Sequence, residues 1–187
     1  MQVQKQEIRD RIINTAARLF IMNGYAGTSL KMIAEKCYIS KSNFYRYFRS
    51  KEELYELLVS QARNNIMSLM NYYLGGDFTG KYSDKKIMEI SAGITPVIYR
   101  YRQGMLIMLR AGEGRDYELI KAMVTKMFVA ECPVENYDFK VRVVELLMTA
   151  LSDIVMRYEE EEEIGEQITL LFLYHYKGLT GVRKDGK

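Results

Sequence analysis

Apolar residues recur along this chain at intervals of three and four, the spacing of one helix face, and no stretch sustains the period-two alternation of a strand. Ile8, Ile12, Ala16, Leu19 and Phe20 share a face over residues 4–22, and Gly24 of Asn23-Gly24 fits a left-handed cap ending that helix. Leu30, Ile33, Ala34 and Cys37 form the face of a short second helix, with Thr28 or Ser29 able to cap its start. Tyr38-Ile39-Ser40 breaks the pattern. Ser40 can cap a third helix, whose apolar positions Phe44 and Phe48 lie four apart, with Ile39 packing forward as a staple. Ser50-Lys51-Glu52-Glu53 then reads as a capping box opening a longer helix. Helices as short as the second and third are unstable alone and must pack on something.

The helix from Lys51 runs on through Leu54, Leu57, Leu58, Ile66, Leu69, Met70 and Tyr73, with no breaker before Gly75-Gly76. Residues 75–82 read as a loop, and Ser83 can cap the next helix from Asp84. Pro96 either kinks that helix or starts a new one with Thr95 as cap. Further helices are expected at 102–111, ended by Gly112-Glu113-Gly114, and at 116–131, stopped by Cys132-Pro133. Two wide apolar stripes close the chain, over about 137–158 (Val141, Val144, Leu147, Met148, Leu151, Ile154, Val155) and 163–179 (Ile164, Ile168, Leu171, Phe172, His175, Leu179). The acidic run Glu159–Glu163 between them reads as a solvated helix end or loop, and the polar tail from Gly181 as disordered. The fold class is all-α.

Charge changes the picture at the N-terminus. Residues 1–51 carry ten Lys or Arg against three Asp or Glu, a balance of +7, whereas residues 52–187 stand at −4. The outer side of the short helices holds Lys31, Lys41, Ser42, Asn43, Tyr45, Arg46, Tyr47, Arg49 and Lys51. Short packed helices with a basic, hydroxyl-rich face have the make-up of a helix-turn-helix that reads DNA. Cys37 and Cys132 are far apart and in no metal-like spacing, as in a reduced cytoplasmic protein. The charged N-terminus has no signal-peptide apolar segment and no apolar run reaches a membrane span, so a cytoplasmic protein without membrane contact is expected. There is no phosphate-binding glycine loop and no metal-ligand cluster. The one histidine, His175, sits on an apolar helix face, a position more typical of a packed residue than of a catalyst. No catalytic residue, metal or cofactor is expected, and the chain reads as a non-enzyme.

About residues 6–66 resemble the DNA-binding domain of the TetR (tetracycline-repressor) family of bacterial transcriptional regulators. The resemblance rests on Ile12, Ala16 and Leu19-Phe20, then Asn23-Gly24-Tyr25, Thr28-Ser29, Ile33-Ala34, Ile39-Ser40-Lys41, Phe44-Tyr45, Tyr47-Phe48 and Ser50-Lys51-Glu52-Glu53-Leu54. It implies an N-terminal three-helix domain with a helix-turn-helix (residues 1–50, with the connecting helix running to about 66). A helical effector-binding and dimerisation domain (51–187) would follow. By resemblance, Lys41, Ser42 and Asn43 reach base edges, with Lys31 also able to touch them, while Thr28, Tyr45, Tyr47 and Lys51 match phosphate-contacting positions. Physically, Lys suits guanine acceptors and Asn pairs bidentately with adenine.

Two positions depart from the family's habit, which often places Gly where this chain has Tyr38 and Ser42. Tyr38 either takes a left-handed conformation, at about 1 kcal/mol or more, or the turn differs. By analogy with the family, the last two helices (about 137–158 and 163–179) form a homodimer on a near-palindromic double-stranded DNA operator. An unknown small-molecule effector would release a repressor from that operator. Flexible or aromatic candidates for the effector site are Met88, Tyr99, Met105, Met108, Tyr117, Met123 and Met127, each of which can equally be core. Control by a protein partner without a small molecule is the alternative, and a helical enzyme a weaker one.

Overall fold

The computed structural model describes residues 2–74, 83–111, 114–128 and 136–181. Among them the chain forms helices α1 (Gln2–Asn23), α2 (Leu30–Lys36), α3 (Lys41–Phe44), α4 (Lys51–Leu74), α5 (Asp84–Arg100), α6 (Arg102–Arg110), α7 (Arg115–Phe128), α8 (Tyr137–Arg157) and α9 (Glu161–Gly181), and no strand. The expected loop at 75–82, the stop at Cys132-Pro133 and the polar tail beyond Gly181 lie outside the described residues.

Local chemistry sets most of these boundaries. Gly24 ends α1 at φ +71°, its N–H bonding the Phe20 carbonyl. Ser29, not Thr28, caps α2 by accepting from the Met32 N–H, and Ser40 caps α3 by accepting from Asn43 N–H. Ser50 accepts from Glu53 N–H at 3.0 Å. The return bond of the box differs from expectation, because the Glu53 carboxylate accepts from Arg49 N–H rather than from Ser50. Ser83 caps α5 and Asn136 caps α8 in the same way.

The choice left open at Pro96 resolves as continuity: α5 runs through it, and the Thr95 hydroxyl donates back to the Ser91 carbonyl instead of capping a new helix. Of the acidic run, Glu159 and Glu160 precede α9 and Glu161–Glu163 form its exposed first turn, where negative charge complements the helix dipole.

Packing joins the two ends of the chain. One apolar core runs from Ile12 and Phe20 through Phe44, Leu54 and Met108 to Ile168 and Leu179. Each such large side chain contributes about 1.5–3 kcal/mol by leaving water. α1 packs on α2, α4 and α6, and α5 lies along α9. Gly104 lets α6 approach α4: a Cβ there would sit 2.7 Å from the Leu58 carbonyl oxygen and 2.9 Å from Ala62 Cβ. Arg110 adds a bond from its Nε to the Ile21 carbonyl, linking the end of α6 to α1.

Candidate nucleic-acid interface

The short helices are held from behind by aromatic rings. Phe44 is fully buried and Phe48 nearly so, their ring centroids 5.9 Å apart, and Ile33 and Cys37 of the α2 segment are buried with them. Arg9 of α1 stacks its guanidinium over Phe48 at 5.2 Å. With the apolar side fixed, the opposite side of α3 faces solvent. Lys41 and Ser42 are exposed, Asn43 half-buried, and Ser42 shares a 2.9 Å hydroxyl–hydroxyl bond with the cap Ser40. Lys31 is exposed on α2, where it sits 3.8 Å from Glu35, a loose solvent-exposed pair of little energetic weight. The structure thus brings together three of the expected base-reading side chains at one helix start, with Lys31 on the neighbouring helix. Tyr45 is half-exposed beside Phe44, and Tyr47 is part-buried against the core.

Two expected phosphate ligands have partners within the fold. Thr28 is 1% exposed, and its hydroxyl lies 2.8 Å from the Gly24 carbonyl and 3.1 Å from that of Leu19. Its side chain therefore ties the α1–α2 loop to the end of α1 and is not on the outer face. Lys51 points its ammonium at the Tyr25 carbonyl (2.7 Å) and the Thr28 carbonyl (2.8 Å), with Nζ 4.0 Å from the centre of the Tyr25 ring. Burial lowers its pKa against the raising influence of Glu52. Tyr25 donates its hydroxyl to Glu52 at 2.7 Å; burial first, then the Glu52 bond and charge, push its pKa up to about 12. Tyr25, Lys51 and Glu52 are a clasp fixing the loop before α2 to the start of α4. Helical periodicity could not reveal it, since Tyr25 and Lys51 are 26 residues apart and belong to no common pattern.

The turn between α2 and α3 is the one strained point among the described residues. Tyr38 adopts φ +55°, the left-handed conformation rather than an altered turn. Its N–H bonds the Glu35 carbonyl and the Ile39 N–H bonds that of Ala34, the paired bonds of a Schellman cap with Tyr38 at the position glycine normally takes.

A second cluster ties α4 to α7. Asp116 is buried, and Arg63 grips it through Nε at 2.6 Å and Nη2 at 2.9 Å. The same guanidinium holds Glu56 at 2.9 and 3.0 Å, Tyr55 donates to Asp116 at 3.0 Å, and Arg115 reaches Glu56 at 2.8 Å. Arg63 holds the Glu56 carboxyl below its usual range, Glu56 and Asp116 hold the guanidinium above its own, and burial raises the Tyr55 phenol. Sequence patterning carried no sign of this cluster, because Asp116 is 53 residues from Arg63 and reads as an ordinary acid in a first helical turn.

The expected effector residues fall in different settings, with Tyr117 buried and Met123 part-buried against the core. Met88 and Tyr99 are exposed on α5, at 52% and 41%, while Met105, Met108 and Met127 are closed into the core. Helical spacing gives Met and aromatics the same signature in a core as in a pocket. Open cavities among the described residues include a groove of about 560 Å³ between α5 and α9 beside Thr95, Pro96 and Gly165, and a cleft of about 470 Å³ bounded by Tyr25, Tyr55, Arg115 and Asp116. His175 is half-buried, its ring nitrogen 3.1 Å from the Leu171 carbonyl, and burial lowers its pKa. Among the described residues no group of His, Cys, Asp and Glu could hold a metal, and no helix is long and apolar enough to cross a membrane.

The segment that carries these short helices has known relatives. Residues 12–58 match the family described as bacterial regulatory proteins, tetR family. An uncharacterised HTH-type transcriptional regulator of Bacillus subtilis, YerO, is 32% identical over 137 residues, covering 72% of this chain and 42% of that protein. The HTH-type transcriptional regulator UidR of Escherichia coli K12 is 30% identical over 91 residues, covering 49% of this chain and 46% of that protein. The matches therefore span less than half the length of these relatives. In the fold, the chain is similar to a TetR-family transcriptional regulator from Bordetella parapertussis (TM-score 0.56, 22% identity, covering 92% of this chain and 97% of that one). It is also similar to a TetR-family member from Streptomyces coelicolor (TM-score 0.52, 19% identity, covering 92% and 91%).

Proposed function

The chain belongs to the tetR family of bacterial regulatory proteins, and on that premise we propose that it is a sequence-specific DNA-binding repressor that works as a homodimer. The observation that carries the reading is the start of α3. Its rear is locked by Phe44 and Phe48, and Lys41, Ser42 and the half-buried Asn43 stand at its capped N-terminus. A recognition helix presents its N-terminal residues to base edges in the major groove. Lys41 suits guanine and Asn43 adenine, while Ser42 accommodates either. Tyr45, with its ring edge-on to Phe44 and half its surface free, is the phosphate-side partner.

Residues 1–50 act as the DNA-binding domain and 51–187 as the control and assembly domain, with α4 shared between them. Exposed Leu146 on α8 and Leu170 and Tyr174 on α9 supply the apolar surface for a two-fold pairing. That pairing would set two recognition helices about 34 Å apart. A small molecule taken up by the C-terminal half changes that spacing and releases DNA, since both half-sites can no longer be engaged together.

Selection of bound duplexes from a random DNA pool tests the reading. It should enrich a near-palindrome whose half-sites are centred about 10 base pairs apart or a multiple of that. Enrichment of a single unpaired half-site would remove the homodimer, and no enrichment at all would remove DNA reading.

A further inference from the structure

We propose that Tyr38 is itself a DNA-backbone contact, a phenol held out by the helix-turn-helix turn against the sugar and phosphate beside the half-site. The inference rests on the DNA-binding reading above and adds to it a residue whose chemistry the turn's architecture does not require. The position is the left-handed end of a Schellman cap, satisfied by the Tyr38→Glu35 and Ile39→Ala34 backbone bonds. Those bonds use main-chain atoms only, and glycine makes them without strain. A tyrosine here keeps the chain in a region that L side chains avoid, at φ +55°.

Packing does not explain the strain. Tyr38 is 92% exposed, lies outside the apolar core and its satellites, and among the described residues has no hydrogen-bond or ring partner for its side chain. A strained, solvated aromatic that stabilises nothing within its own fold points outward for its use.

Its surroundings identify the partner. Tyr38 precedes Lys41 by three residues, so the two Cα atoms are within about 11 Å even for an extended chain. Exposed Lys36 and Lys41 flank it, and the Ser40–Ser42 hydroxyl pair follows. A surface with these donors takes a phosphate-rich polymer lying along the start of α3. Phenol suits that place: the ring covers deoxyribose and the hydroxyl donates to a phosphate oxygen. Such a contact carries no base information and no charge. It fixes the angle at which α3 enters the groove.

The test uses the full-length protein and the duplex enriched by pool selection, with Tyr38→Gly and Tyr38→Phe. Tyr38→Gly should raise the melting temperature by about 2–4 °C, by relieving the left-handed strain. It should also weaken binding about tenfold. Tyr38→Phe, which keeps ring and backbone, should weaken binding about threefold. Both should leave the slope of affinity against salt and the ranking of bases unchanged, since no counterion is released by a neutral contact. Gain of stability with loss of affinity is a combination that a purely structural side chain cannot produce. Binding by Tyr38→Gly within twofold of the parent overturns the inference. So does weaker binding accompanied by a lower melting temperature, with Tyr38→Phe binding as the parent does. If the parent protein enriches no sequence, the DNA-binding reading itself fails and this inference falls with it.

Discussion

Lys41 and Lys51 are both lysines in the first turn of a helix in the basic quarter of the chain, and the structure gives them different surroundings. Lys41 is free on the outer face. Lys51 bonds two carbonyls and covers the Tyr25 ring. Lys41→Ala should therefore leave the melting temperature unchanged and reduce the salt slope of DNA binding by about one unit. Lys51→Ala should cost about 1–2 kcal/mol of stability through lost charge-assisted bonds. Its salt slope should stay near that of the parent. Thermal melts and binding titrations at several salt concentrations check both, and a lost unit of slope for Lys51→Ala would return that residue to the phosphate contacts. Residue types and order along the motif did not distinguish Lys41 from Lys51 or expose the burial of Thr28. Those depend on where the Tyr25–Ser29 loop lies, which no helical period specifies.

At the scale of elements, helix existence was legible and helix contact was not. Apolar spacing placed every helix among the described residues, and Ser40, Ser83 and Gly24 act as caps where the sequence suggested. The α4–α7 tie escaped because its members share no periodicity. Arg63 nonetheless holds the buried Asp116 in two bonds, so Arg63→Ala strands a buried charge and should cost about 3–5 kcal/mol.

The same cluster sets an acid limit. The Arg63 bond holds the Glu56 carboxyl below its ordinary 4.5, so its contribution is complete above pH 4.5 and is lost as pH falls through the lower folded value. Denaturant melts across that range should show a steeper acid loss of stability for the parent than for Glu56→Gln. Parallel curves would show that Glu56 contributes nothing to it. The tie joins α4 to α7 through a paired guanidinium rather than a loop.

For the molecule as a whole, the sequence divides sharply in charge between the first 51 residues and the rest. The unbroken core across them did not show in any pattern, because it is made by α1 meeting α6 and by α6 lying on α4 at Gly104. Met and aromatic content likewise did not separate buried from exposed positions: Met105, Met108 and Met127 are core, whereas Met88 and Tyr99 are exposed.

The proposed function requires two copies of α3 to read two half-sites through Asn43 and its neighbours. The most direct measurement is the base preference of Asn43→Ala on the selected duplex, compared with the parent. Preference should relax at one base pair in each half-site, at symmetric positions, with about 1–3 kcal/mol of discrimination lost and all other positions keeping their ranking. An unchanged ranking at every position, in both half-sites, would contradict the claim.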